Sequence, residues 1–398
     1  MQNKKDILFP LLIYTIISVG SIFSTGGFEN VHMTTDFNHY HSFWHEYTNL
    51  KLSDLSNNIY DSSSKANWLP NPFYSIIALF PITIFGSATL LKFIGFSLGC
   101  LYLKLLSDLN IKLNTKFDFW KLNIFLLIIC TNRWFIKESI GLGSVFLSTL
   151  FFILGIKISK NIYKSIFFTF AILCRPNFIL FFLPFSLIIL IKDLFNRKSL
   201  SKISKSFILP LIIYPFWYFF IDSNYPGSQI NYLFLTESQG IDFAHEAFTE
   251  VLKLYTDFEI PDSLLYWELN LTNFFKILFS HISIICSLIQ IFILKLFAFL
   301  GMRFEYAFLQ KYSSFWQISE LWISLHFLIF ILPGFMFTFI FMLFTRKDSL
   351  EFIIYFSSLF YSISNSMLIG DPRYAILVIP VFVYSFLNGL TKLRNSTN

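Results

Sequence analysis

The chain has 398 residues, of which 55% are hydrophobic and only 14% charged, with a net charge of +6. A soluble protein carries about 25% charged residues, and one core at this length cannot hide so much apolar surface. These figures exclude a soluble enzyme, a secreted disulfide scaffold and a disordered regulator. The apolar runs are continuous, not alternating, which argues against a β-barrel, and the basic residues fall mostly between them, so the net charge is no nucleic-acid signal.

In chain order, the first apolar run is 7–24, behind Lys4 and Lys5, and reads as a retained first helix. A polar loop, 26–70, follows. Apolar segments then run near 72–86, 87–106, 119–136, 139–157, 163–175, 177–191, 206–221, 274–300, 320–345, 349–369 and 374–391. The expected architecture is all-α: one polytopic membrane domain over 1–398, with about twelve transmembrane or re-entrant helices and two large outer loops. Segment 72–86 is short and bracketed by Pro72 and Pro81, as a re-entrant or tilted segment would be. Cys100, Cys130, Cys174 and Cys286 all lie inside apolar segments and read as small buried hydrophobes.

Charge gives the orientation. Loop 26–70 and a second loop, 222–271, hold 14 of the 24 acids and 3 of the 30 basic residues. Stretch 192–205 has Lys192, Arg197, Lys198, Lys202 and Lys205 against Asp193 alone. The positive-inside rule puts 192–205 and the Lys4–Lys5 end in the cytoplasm, and both acidic loops on the other face. Strict alternation after residue 271 then strands Arg346 and Lys347 on the outer face, against the same rule.

The aromatics Tyr40, Trp44, Tyr47, Tyr60, Trp68 and Tyr74 suit a membrane-interface belt. His39, His41, His45 and Glu46 form a dense cluster, and His41 and His45 stand at helical i,i+4 spacing. Without an HExxH or a nearby cysteine, a metal site is left open there. Arg133 and Lys137 share one helix face, and Arg175 lies between apolar runs in Cys174-Arg175-Pro176. Basic residues so placed either snorkel to headgroups or bind an anion. Gly95 and Gly99 form a GxxxG, which reads as a close helix contact without chemistry.

The order Asp36-Phe-Asn-His39-Tyr40, then Tyr60-Asp61, then Asn71-Pro72-Phe73 and Phe80-Pro81 resembles the GT-C superfamily of membrane glycosyltransferases. The branch it is most similar to is the bacterial polyprenol-phosphate mannosyl- and arabinofuranosyltransferases. Gly141-Leu142-Gly143-Ser144-Val145 resembles that family's Gly-polar turn opening a helix. Asp371-Pro372-Arg373-Tyr374 with Pro380 resembles its Arg-Tyr ending. The sequence departs from the pattern where Asn71-Pro72-Phe73 replaces a Tyr-Pro-Pro, and it lacks a clean Asp-x-Asp pair.

The resemblance implies inverting transfer of a sugar from a polyprenyl-phosphate donor to a hydroxyl on a glycan, lipid or protein, on the outer face of a bacterial inner membrane. Asp36 would be the general base. Tyr40, His39, His41, Tyr60 and Asp61 would bind substrate. Arg133, Lys137, Arg175 and Arg373 are the candidates for the donor phosphate, whose charge grows as it leaves. No cofactor is required by this reading, and a divalent cation stays open. Two other classes fit the composition: a transporter or flippase of lipid-linked sugars, and a polysaccharide polymerase or ligase. A transporter would show internal repeats, and none is visible. A polymerase would rely on Arg and His in a later loop, but 222–271 holds one His and no Arg.

Overall fold

The computed structural model describes residues 7–24, 74, 88–112, 119–195, 205–222, 282–301, 322–346, 349–368 and 372–396. Among them are twelve α-helices and no strand. They are α1 (Leu8–Ser24), α2 (Ala88–Lys112), α3 (Phe119–Cys130), α4 (Arg133–Ile140), α5 (Ser144–Lys157) and α6 (Asn161–Cys174), then α7 (Ile179–Phe195), α8 (Ile208–Asp222), α9 (Ile282–Leu300), α10 (Leu332–Phe344), α11 (Leu350–Leu368) and α12 (Ile379–Ser396). A π-helical segment, Phe327–Ile331, leads into α10, and a 3₁₀ turn, Pro372–Leu377, leads into α12.

Two described helices, Thr89–Leu109 and Trp322–Phe344, are long and apolar enough to cross a membrane. A third span is counted if α3 and α4, bent by 67°, act as one. The sequence-based expectation of one run over 119–136 is therefore corrected. The helix stops at Cys130 and restarts at Arg133. Asn132 is extended (φ −71°, ψ 121°), and its side-chain oxygen accepts from the Phe135 N–H at 3.1 Å, so it is the N-cap of a new helix.

The outside of the molecule carries apolar stripes, and its apolar core encloses a set of buried polar side chains. Leu8, Leu12, Ile16, Val19 and Phe23 form an exposed stripe along α1, and Leu183, Leu187, Ile191 and Leu194 do so along α7. These stripes recur at i+3 and i+4, the spacing of one helix face, and water would oppose their exposure. Inside, Ser358, Ser362, Asn365 and Ser366 of α11 are fully buried. Helices join through small and hydroxylated residues: the Ser148 hydroxyl donates to the Ala171 carbonyl at 2.7 Å, and the Thr338 and Ser385 hydroxyls meet at 2.8 Å. This is how helices associate where burial against lipid gives no drive. Part of the large phenylalanine complement fills one core, where the rings of Phe168, Phe178, Phe181 and Phe185 surround or adjoin Phe152.

Glycines set the closest approaches. A Cβ on Gly95 would lie 2.5 Å from the Ile140 carbonyl oxygen, so α2 crosses the end of α4 backbone against backbone. A Cβ on Gly99 would lie 2.6 Å from Cζ of Tyr14. The GxxxG of α2 is thus a packing feature, with Gly95 facing α4 and Gly99 facing α1.

The two ends of the bundle differ in charge. At one end Lys157 of α5 pairs with Asp108 of α2. Lys192 in the last turn of α7 and Arg346 after α10 lie at this end too, with Lys392 of α12, whose amine stands 4.4 Å from the Phe341 ring centroid. The other end gathers the α4–α5 turn, Arg175, the end of α9, Trp322 and the Pro372–Leu377 turn. Because α9 ends and the Trp322 helix starts there, Arg346 falls at the basic end. The conflict that strict alternation created after residue 271 disappears. Cys130 and Cys174 are buried within the protein, Cys100 is half-buried, and Cys286 is exposed on the outer surface of α9.

Candidate functional site

The site end is built on three helix termini. Helix α6 stops at Arg175 because Pro176 follows, and the residue before a proline is pushed to extended backbone; Arg175 has φ −147° and ψ 107°. Its side chain is turned inward, 7% exposed, and donates from Nη1 to the Ser144 hydroxyl at 3.3 Å. Ser144 is the first residue of α5. From the other side comes the Pro372–Leu377 turn with Tyr374, which is fully buried. The Arg175 guanidinium carbon lies 4.8 Å from the Tyr374 ring centroid and that of Arg373 lies 5.4 Å from it. Each cation–π contact of this kind is worth about 0.5–2 kcal/mol. Two of the four arginine and lysine candidates, on segments far apart in sequence, therefore share one aromatic ring.

The α4–α5 turn closes this centre. Leu142 sits at φ 48°, the left-handed region that a bulky residue occupies at a cost of about 1–2 kcal/mol. Two contacts hold it there. The Leu142 N–H donates to the Ser139 carbonyl at 3.2 Å, and the Tyr74 hydroxyl donates to the Leu142 carbonyl at 2.9 Å. Gly143 leaves room for the Glu138 carboxyl, whose carbon lies 2.5 Å from where a Cβ on Gly143 would stand. Glu138 is 1% exposed. Among the described residues, two guanidiniums meet on Tyr374, one of them bonded to Ser144, and the Glu138 carboxyl lies against Gly143, the residue before Ser144. Ionisable groups this deep in an apolar bundle are costly and mark function or an internal pairing.

The second pair of candidates, Arg133 and Lys137, stands on α4, as the four-residue spacing requires. The Arg133 guanidinium carbon is 5.9 Å and the Lys137 amine 5.6 Å from the Trp134 ring centroid. Helix α4 packs on the Pro372–Leu377 turn, so both pairs belong to one end of the bundle. The start of α4 is latched to the helix that begins at Trp322. The Trp322 indole donates to the Thr131 carbonyl at 3.1 Å, and His326 Nε2 lies 3.1 Å from the Thr131 hydroxyl. The backbone freed by the break thus finds partners inside the protein, the condition for irregular structure at membrane depth.

Asp36, His39, Tyr40, His41, Tyr60 and Asp61 lie outside the described residues, as do His45, Asp371 and both acidic loops. Tyr74, three residues after Asn71, is described: it is fully buried and hydrogen-bonded, which corrects its assignment to an interface belt. Its bond ties the chain just beyond loop 26–70 to the Leu142 turn. Sequence reading missed Lys92, Glu138, Lys295 and His326, all at most 3% exposed. The available signal was an ionisable side chain in or beside a long apolar run.

No family model, curated protein or solved structure matches this chain.

Proposed function

We propose that the chain is a GT-C-like membrane glycosyltransferase that moves a sugar from a polyprenyl-phosphate donor to an acceptor hydroxyl. The observation that carries this reading is the convergence of Arg175 and Arg373 on Tyr374, beside the Ser144 hydroxyl, at the end of the bundle opposite the basic termini. A monophosphate leaving group needs fixed positive charge where its own charge develops, and the buried Arg175 with the half-buried Arg373, both packed on Tyr374, supply it without reorganisation. Arg133 and Lys137 on α4 add charge on the approach.

In the reaction, Asp36 takes the proton of the acceptor hydroxyl as its oxygen attacks the anomeric carbon. The bond from that carbon to the phosphate oxygen breaks, its electron pair leaves with the polyprenyl phosphate, and the anomeric centre inverts. The Tyr74 bond to the Leu142 turn supports this arrangement, since it ties the segment after loop 26–70 to the arginine centre. Orientation follows from charge: with Lys157, Lys192, Arg346 and Lys392 at one end, the positive-inside rule makes that end cytoplasmic and the arginine centre outward-facing. A bacterial inner membrane, about twelve spans, and a glycan, lipid or protein acceptor complete the proposal.

The test is Asp36→Asn in purified, reconstituted protein, assayed for sugar transfer from a panel of polyprenyl-phosphate sugars with thermal unfolding in parallel. Transfer by wild type and none by the folded variant supports the assignment; equal transfer removes Asp36 as the base. A second reading, a flippase of lipid-linked sugars, is favoured by the 67° break between α3 and α4, since broken helices line many transport sites. Wild-type protein that translocates but does not transfer such lipids in the same vesicles would establish it.

A further inference from the structure

We infer that the basic end of α10 and α12 binds an anionic phospholipid, with the headgroup phosphate at Arg346 and Lys392 and an acyl chain along the outer face of α10. The inference goes beyond the glycosyltransferase reading and does not depend on it. Helices α10 and α12 lie side by side and run in the same direction. A Cβ on Gly334 would stand 2.6 Å from the Phe382 carbonyl carbon, the Thr338 and Ser385 hydroxyls meet at 2.8 Å, and a Cβ on Gly389 would stand 2.7 Å from the Phe337 ring. About one turn further along both helices, the Lys392 amine lies 4.4 Å from the Phe341 ring centroid. The contacts advance along the two helices together, so their ends are level.

Helix α10 stops at Phe344. Thr345 is extended (φ −84°, ψ 142°), while its N–H still donates to the Phe341 carbonyl at 2.8 Å. Arg346 is the next residue, so it stands close to Phe341, the ring that Lys392 approaches. Both cations are exposed. Met336, Phe339, Ile340, Leu343 and Phe344 lead up to them and are 40–84% exposed. Their spacing is that of one helix face, on a helix long and apolar enough to cross a membrane. An apolar stripe about 12 Å long that ends in two cations fits a molecule with a hydrocarbon chain behind a negative headgroup. Charge complementarity selects the anionic class, because a zwitterionic headgroup brings no net charge to the pair. Among the described residues the acid that follows Arg346 is Glu351, half-buried in the first turn of α11, where it offsets that helix terminus. A second copy fits this face less well: a two-fold axis along the membrane normal would bring Arg346 and Lys392 to the same depth as their own counterparts, like charge against like. The cytoplasmic leaflet, to which this end is assigned, is where anionic lipids gather.

The test is native mass spectrometry of the full chain in mild detergent, titrated with phosphatidylglycerol and with phosphatidylcholine of the same acyl chains. Each basic side chain beside an anionic headgroup is worth about a fivefold gain in binding. With two of them, wild type is expected to hold phosphatidylglycerol about twentyfold tighter than phosphatidylcholine. The double variant Arg346→Gln with Lys392→Gln should lose that preference. Lys160→Gln, at the start of α6, controls for a cation elsewhere on the protein and should keep it. Thermal melts read the same site: phosphatidylglycerol should raise the midpoint of wild type and not that of the double variant, whose two changes are at exposed positions. Inorganic phosphate at the same concentration should raise neither; a rise equal to that given by the lipid would reject the phospholipid and leave a free-anion site. Equal binding of the two lipids by wild type overturns the site. So does an unchanged preference in the folded double variant, in which case the two cations serve only the C-terminal ends of their own helices.

Discussion

Replacing Gly95 by alanine tests the contact that fixes the floor of the site. A Cβ on Gly95 would stand 2.5 Å from the Ile140 carbonyl oxygen and closer still to that of Ser139, where ordinary contact begins at 3.4 Å. Both obstacles are backbone, so no side chain can swing aside, and α2 must withdraw from α4 by at least 0.9 Å, the shortfall at the Ile140 carbonyl alone. Overpacking of this size costs about 1–3 kcal/mol, against a gain of about 1 kcal/mol for alanine over glycine in a helix. The expected net loss against wild type is about 0–2 kcal/mol, and about 1–3 kcal/mol against a control that keeps the helix gain alone. Gly20→Ala in α1 is the matched control, since a Cβ there meets nothing within 4 Å and only the helix gain remains. Unfolding of the two variants and wild type in the same micelles, by thermal melt and by denaturing-detergent titration, should rank Gly20→Ala at or above wild type and Gly95→Ala below it. Equal stability of the two variants would refute the backbone contact between α2 and α4, and with it the stated position of the Leu142 turn.

Other outcomes follow from the same geometry. Tyr74→Phe removes the hydroxyl bond to the Leu142 carbonyl and should cost about 1 kcal/mol in the same unfolding assay, with a larger effect on transfer than on stability. Thr131→Val removes the acceptor for His326 Nε2–H and leaves a buried donor, a loss of about 1–3 kcal/mol measurable by melting. For orientation, Lys392→Cys and Lys160→Cys (Lys160 caps the start of α6, three residues after Lys157), in a cysteine-free background, should resist a membrane-impermeant maleimide in intact cells and react after permeabilisation; labelling in intact cells would reverse the assigned sides.

The helices were legible where the apolar runs are long. The runs 7–24, 206–221 and 349–369 each fall within two residues of α1, α8 and α11, because hydrophobic length decides there and little competes with it. The break at Thr131–Asn132 was not legible, because it lies inside a run whose average hydropathy hides one capping residue. Its stability also depends on Trp322 and His326, some 190 residues away. The left-handed Leu142 was equally hidden: two flanking glycines suggest a turn, but only the Tyr74 and Ser139 contacts select that conformation for leucine. Arg175 and Arg373 could be named from sequence as separate anion candidates. Their meeting on Tyr374 is a tertiary fact that neither local pattern contains.

The most direct measurement is sugar transfer from defined polyprenyl-phosphate sugars by reconstituted wild type, Arg175→Gln and Arg373→Gln, with folding verified by melting. The glycosyltransferase account predicts transfer by wild type from at least one donor and a loss of about a hundredfold or more in each variant, the size seen when one donor to a developing oxyanion is removed. Transfer by folded Arg175→Gln and Arg373→Gln at the wild-type rate would contradict the arginine centre as the phosphate site. No transfer from any donor by folded wild type would contradict the enzyme.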